Sequence, residues 1–294
     1  MSDAPPNTEG NGGGPAGFDA PAARRRRTPW PLAVVAVLFV VVPFLTWYWT
    51  WFGRSLSDEE IEKYLGEGKP RHAQHALSQV AERIERGDAG AGRWNERVLG
   101  LASSPSPDVR MTAAWVMGVE HKSEAFRESL ARLLEDPEPI VRRNAALALV
   151  RFGDGRSRPE LLAMLRPYAV SAADWGTALT ALTAGSRVKR DSLLLSFKNP
   201  TGEAGEVRSP LPGTVERASV KDGDRFEAGA ELFVLAPDAE QASDALTGLL
   251  YFGGEGELPD VERYARGVEG MPQDVKTKAA LTAEAIRRRL SQNR

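Results

Sequence analysis

A repeat constrains this chain more than any other feature. Ser104-Pro105-Ser106-Pro107-Asp108-Val109-Arg110-Met111-Thr112-Ala113-Ala114 aligns with Asp136-Pro137-Glu138-Pro139-Ile140-Val141-Arg142-Arg143-Asn144-Ala145-Ala146 at an offset of 32. Upstream, Val98 and Leu101 align with Leu130 and Leu133. Asp274-Val275-Lys276-Thr277-Lys278-Ala279-Ala280 copies the central pattern near the end. Val109, Ala113 and Val116 stand at i, i+4 and i+7, as do Val141, Ala145 and Ala148, the spacing of one helix face. The alanine pair lets two helices approach closely. Proline is tolerated in a first turn, where its missing N–H would be unpaired anyway, and the Ser or Asp ahead of it can cap. Phe126 to Leu134 supplies a partner helix with Leu130 and Leu133 inward. A single helix pair cannot bury its apolar face alone, so neighbouring pairs must stack.

The D-P-x-P-x-V-R-x-x-A-A core at Asp136–Ala146, with weaker copies at Ser103–Gly118 and Leu56–Gly87, resembles HEAT repeats, including the phycobilisome-lyase-like variety. In the first copy, Ser57-Asp58-Glu59-Glu60 reads as a capping box. The resemblance implies an α-solenoid that binds a protein partner. The expected fold is mainly α. It comprises a short solenoid of HEAT-like helix pairs over residues 54–186 and 238–294, a small inserted β-hairpin or half-barrel module, and one N-terminal transmembrane helix.

The span is expected over residues 28–53, which carry no charge and are mostly apolar. As a helix this stretch exceeds the ~30 Å hydrocarbon core. The Trp47-Tyr48-Trp49 cluster suits an interfacial belt. Bulky aromatics occupy the place where a cleavable signal would need small residues, which favours an uncut anchor. Residues 1–27, rich in Gly and Pro and ending in Arg24-Arg25-Arg26-Arg27, read as a disordered tail. Their positive charge places the tail in the cytoplasm and the body outside it. Arginine outnumbers lysine, a skew common in GC-rich bacterial genomes, so the expected location is a bacterial plasma membrane with the body periplasmic.

Residues 187–237 break the helical pattern. Leu193–Phe197 reads as a strand, and Asp222-Gly223 and Ala228-Gly229 mark turns between short β-rich runs. Ser209-Pro210-Leu211-Pro212-Gly213-Thr214-Val215, Val220-Lys221-Asp222-Gly223-Asp224 and Glu231–Leu235 resemble one half of a biotinyl/lipoyl-type barrel, as also found in membrane-fusion adaptors. Carrier domains of that family present a modified lysine on a hairpin next to this sequence. Here Ala236-Pro237-Asp238 follows instead, and Lys221 lies in a different turn, so no biotin or lipoate is expected.

Composition removes further chemistry. There is no cysteine, which excludes disulfides, thiolate metal sites and cysteine nucleophiles. Lys and Arg total 38 against 40 Asp and Glu, so the basic excess of a nucleic-acid binder is missing. His72 and His75 could share a ligand on a helix but lack a third partner, and His121 reads as a loop residue. Gly253-Gly254-Glu255-Gly256 lacks the Lys-Ser/Thr sequel of a phosphate loop. Arg110, Arg142 and Arg143 are expected to hold inter-repeat carboxylates or carbonyls rather than an anion. Trp94, Trp115 and Trp175 are expected in the core or a groove. No catalytic, cofactor-binding or metal-ligating residue is assigned. The function expected is a non-catalytic, membrane-anchored scaffold that engages a protein partner and meets the bilayer through residues 28–53. The alternatives are an accessory adaptor of an export or efflux assembly and, ranked last, a lyase-type enzyme.

Overall fold

The computed structural model describes residues 34–35, 37–44 and 55–292. The chain divides after Arg54 into two units. The expected tail lies outside the described residues, as does much of the expected span, of which residues 34–35 and 37–44 are helical. Among the described residues, no helix is long and apolar enough to cross a membrane.

From Ser55 onward the helices are α1 (Asp58–Gly66), α2 (Pro70–Glu85), α3 (Asn95–Leu101), α4 (Pro107–Glu120), α5 (Glu124–Leu133), α6 (Pro139–Arg151) and α7 (Arg158–Ala163), then α8 (Ala239–Phe252), α9 (Leu258–Arg266) and α10 (Gln273–Gln292). They pack as five successive pairs. The second members, α2, α4, α6, α8 and α10, contact one another in order and form a continuous inner layer. Proline occupies the first turn of α2, α4 and α6. The capping box at Ser57 is formed, with Ser57 Oγ accepting from the Glu60 amide and Glu60 from the Ser57 amide. In the repeat core, Ser104 and Asp136 accept from the Ser106 and Glu138 amides at 3.3 and 2.9 Å, closing the turn that leads into each helix. A Cβ on Gly118 would stand 2.7 Å from the Ala148 Cβ and 2.9 Å from its Cα, so the α4–α6 contact admits only glycine there. One apolar core runs through α1 to α6 around Trp94, Phe126 and Leu130. A second runs from α6 to α10 around Leu161, Leu246, Tyr264 and Ile286.

Eight strands stand between α7 and α8, so the fourth helix pair is split by an insertion. They are β1 (Tyr168–Ser171), β2 (Gly176–Ala181), β3 (Arg187–Val188), β4 (Leu193–Lys198), β5 (Ala204–Arg208), β6 (Gly213–Ala218), β7 (Arg225–Phe226) and β8 (Glu231–Ala236). They make two antiparallel sheets ordered β1-β8-β6-β3 and β5-β4-β2-β7 around one core of Leu194, Leu195, Val215, Leu232 and Phe233. The strands therefore begin at Tyr168 rather than at 187, and two halves are present where the sequence suggested one.

The two halves are copies. Gly176–Ala184 corresponds to Gly213–Lys221 at an offset of 37, and Gly185–Lys198 to Gly223–Ala236 at an offset of 38, with Asp222 as the extra residue. Buried and exposed positions follow the same order in β2 and β6, and in β3 and β7. Each half carries a bulge at the same place, Ala178/Thr180 and Val215/Arg217. Each lends its short strand to the other sheet, β3 to β6 and β7 to β2. Gly185 N donates to Val215 O at 2.8 Å and Gly223 N to Ala178 O at 2.9 Å. Both glycines sit at a φ of 86°, which an L side chain rarely adopts. The first copy escapes a sequence reading because only Gly, Thr, Ala, Arg and Leu at six positions are shared, and Ala178 stands inward where the second copy has Val215.

Candidate interaction surfaces

The repeated arginine has one job in each copy. Arg110 grips Asp136 with both ends of its guanidinium, Nε to Oδ2 at 2.7 Å and Nη2 to Oδ1 at 2.8 Å, while Nη1 donates to Ser104 O at 2.9 Å. Arg142 repeats this one unit later, Nη1 to Asp136 O at 2.7 Å and Nε to Glu160 at 3.3 Å. Each arginine therefore clips its own turn and reaches the next repeat. Burial pushes the Asp136 carboxyl up, but the Arg110 hydrogen bonds, the Glu138 amide and the charges of Arg110 and Arg142 outweigh it and hold the pKa below the ordinary value.

With the arginines committed to packing, the outward face of the inner layer is carried by other residues. The residue directly after the Ala-Ala pair is exposed on α4 (Trp115) and α10 (Leu281), whereas on α6 Leu147 packs partly against the second core. Trp115 is 40% exposed and Leu281 58%, while Leu147 is half-buried. Tyr251 on α8 is also exposed. Large apolar side chains left in water on the helical layer suit a protein partner. Trp94 differs from Trp115. It is fully buried, with Arg83 and Arg93 each 5.0 Å from its ring centroid.

The β domain meets the helices through polar contacts. Arg143 on α6 is buried, and its Nη1 donates to Gln241 Oε1 on α8. Gln241 Nε2 then donates to Pro212 O, ahead of β6, at 2.6 Å. Glu160 lies 3.9 Å from Arg143 Nε. Burial pulls the Arg143 pKa down to about 10, against the attraction of Glu160. Farther out, Arg190 pairs with Asp108 at the start of α4. Arg143, Arg166, Tyr168 and Pro212 line this junction, which leaves no space for a water molecule.

The histidines do not converge. His72 stacks on Tyr64 with ring centroids 4.4 Å apart and bonds Glu67 at 2.6 Å, His75 is exposed, and His121 ends α4 in a left-handed conformation. No cluster of three or more His, Cys, Asp or Glu able to hold a metal occurs among the described residues. Lys221 is exposed in its turn, and the Gly253–Gly256 stretch joins α8 to α9. Sequence reasoning missed the Gln241 link and the exposed face of β2. Only the doubled β pattern, read at offsets of 37 and 38, could have signalled the latter.

The stacked helix pairs and their arginine clips define a helical-repeat protein. Residues 95–184 match the family of HEAT repeats, so the match begins at α3, runs past the last helix before the insertion and takes in β1 and β2. Comparison with curated proteins gives no match. Among solved structures, a similar chain is that of a single-chain, multi-domain long-chain acyl-CoA carboxylase, at 17% identity over 35% of this chain and 10% of that one, with a TM-score of 0.24. Likeness at that score bears on neither fold nor function.

Proposed function

We propose that the chain is a non-catalytic, membrane-anchored scaffold that binds a protein partner along the outward face of its inner helical layer. The observation that carries this reading is that Trp115 on α4 and Leu281 on α10, each directly after its Ala-Ala pair, are exposed while the repeat arginines are used up in packing. Anchoring rests on the uncharged, apolar stretch at 28–53 and the four arginines before it, which also favour a periplasmic body. The paired, eight-stranded insertion supports its likeness to biotinyl/lipoyl modules. Asn199–Glu203 forms the β4–β5 connection, and Lys198 is the last residue of β4. The test is crosslinking in intact cells, mild extraction and mass spectrometry of what co-purifies, with wild type beside Trp115→Ala/Leu281→Ala. A partner captured by the wild type and lost from the double variant supports the reading; equal capture by both refutes it. A reporter fused after Arg294 that is active only in the cytoplasm refutes the topology.

The likeness of the β domain to modules of membrane-fusion adaptors favours a second reading, an accessory adaptor of an export or efflux assembly. Deleting residues 168–236 separates the two. A scaffold keeps its partner and an adaptor loses it.

A further inference from the structure

The two copies in the β domain act as controls for one another. Trp175, directly ahead of β2, is 55% exposed, and Leu179, the unpaired residue of the β2 bulge, is 45% exposed. Their counterparts in the second copy are Pro212 and Glu216. The same backbone position is thus satisfied by a small ring or a carboxylate, and the fold does not require a tryptophan or a leucine in water at either place. Across the sheet, Thr177 is flanked by Lys198 on β4 and Arg225 on β7. Side chains directly opposite on neighbouring strands stand ~5 Å apart, so the two cations bracket the strand. Both are exposed, and neither has an ion-pair partner among the described residues. The counterpart of Lys198 is Ala236.

Several carboxylates near in the chain are already occupied, though Glu227, two residues from Arg225, is not within ion-pair distance of either cation. Asp174 accepts from the Trp175 amide at 2.8 Å, Asp222 from the Ala181 amide at 2.8 Å, and Asp224 from the Lys221 amide at 2.8 Å. Glu206 is paired with Arg208. The face therefore combines two large apolar side chains with two uncommitted positive charges. It differs from its twin, whose Pro212 end is docked on α8 through Gln241.

We infer that the outer face of β2, made by Trp175, Leu179, Lys198 and Arg225, docks an acidic segment of a partner protein that carries an apolar anchor. Trp175 and Leu179 would cover the anchor and exclude water, and the two cations would receive its carboxylates. A desolvated aromatic with charges at its edge is the usual make-up of a strong contact point. The inference rests on the scaffold reading, since it supplies the chemistry of a second partner surface.

The test pans a displayed random-peptide library against the full chain and measures the selected peptides by fluorescence anisotropy. Leu179→Glu and Lys198→Ala install residues that the twin copy already carries, so both variants should melt with the wild type. The expected result is a consensus of acidic and large apolar residues, whose affinity falls about tenfold or more in each variant and weakens as salt rises. Three outcomes overturn the proposal: a consensus without acidic residues, no peptide that depends on this face, or a concentration-dependent dimer abolished by Leu179→Glu. If it fails while Trp115→Ala/Leu281→Ala still loses the crosslinked partner, the scaffold reading stands and this inference alone falls.

Discussion

Replacing Asp136 by alanine removes the strongest clip between repeats. Its carboxylate accepts two Arg110 bonds at 2.7 and 2.8 Å and the Glu138 amide at 2.9 Å. Both side chains are nearly enclosed, with 12% of Arg110 and 5% of Asp136 exposed. Breaking a buried ion pair by deleting one partner costs about 3–5 kcal/mol, because the other charge is left without compensation. Arg110 keeps Ser104 O at 2.9 Å, which places the cost at the low end, about 3 kcal/mol. At roughly 2–4 °C per kcal/mol for a domain of this size, the melting temperature should drop by roughly 6–12 °C. Glu284→Ala is the control. Its i,i+4 pair with Arg288 is 63–68% exposed, and such pairs contribute about 0.5 kcal/mol or less. Urea denaturation of the full chain, read by far-ultraviolet circular dichroism, measures both, and an Arg110→Met/Asp136→Ala cycle should give coupling above about 1 kcal/mol. If Asp136→Ala lies within about 1 kcal/mol of wild type, the clip is not what joins these repeats.

Other perturbations probe the rest of the molecule. Gly118→Leu forces a side chain into the Ala148 backbone and should cost about 1–3 kcal/mol or more, seen as a lower urea midpoint; an unchanged midpoint would show that α4 and α6 are not in close contact. Gln241→Ala leaves Arg143 buried with Glu160 alone and frees Pro212 O, so hydrogen exchange should quicken at the start of α8 and around residues 211–213 while the β core stays protected. The carboxyls of Asp136 and of Asp154, the latter held down chiefly by its Arg156 hydrogen bonds, have lowered pKa values. Their stabilisation is present above the unfolded carboxylate pKa and is lost as pH falls through the lower folded value. Unfolding titrations should therefore show stability falling below about pH 4, with a shallower acid limb in Asp136→Ala. The intact mass should equal that of the bare chain, and an added biotin or lipoyl mass would contradict the reading of the β domain.

The clips also explain how this solenoid tolerates an insertion. The fourth helix pair is split by about seventy residues, yet α8 still packs on α6 and α7. Closing a longer loop adds only about 0.6 kcal/mol per doubling of its length, and Arg143, Gln241 and Pro212 tie the inserted domain to both neighbours.

Sequence alone determined the helix pairs wherever local rules suffice. The periodicity of Val141, Ala145 and Ala148, the first-turn prolines and the Ser57 box are all read within one helix or its cap, and the helices stand there. The structural use of Arg110 and Arg142 was also legible, because the same residue type recurs at the same register. The β domain was half legible. In the first copy only β4, with Leu194, Leu195 and Phe197 inward, reads as a strand; β2 has Ala178 inward where β6 has Val215, and only pairing with β4 and β7 makes it a strand. Which tryptophan is buried was decided by tertiary structure alone. Trp94 is enclosed by helices from different repeats, while Trp115 and Trp175 stand in the open, and no local pattern distinguishes them. The Arg143–Gln241–Pro212 link joins residues 98 and 29 positions apart, a contact that exists only once the chain has closed around its insertion.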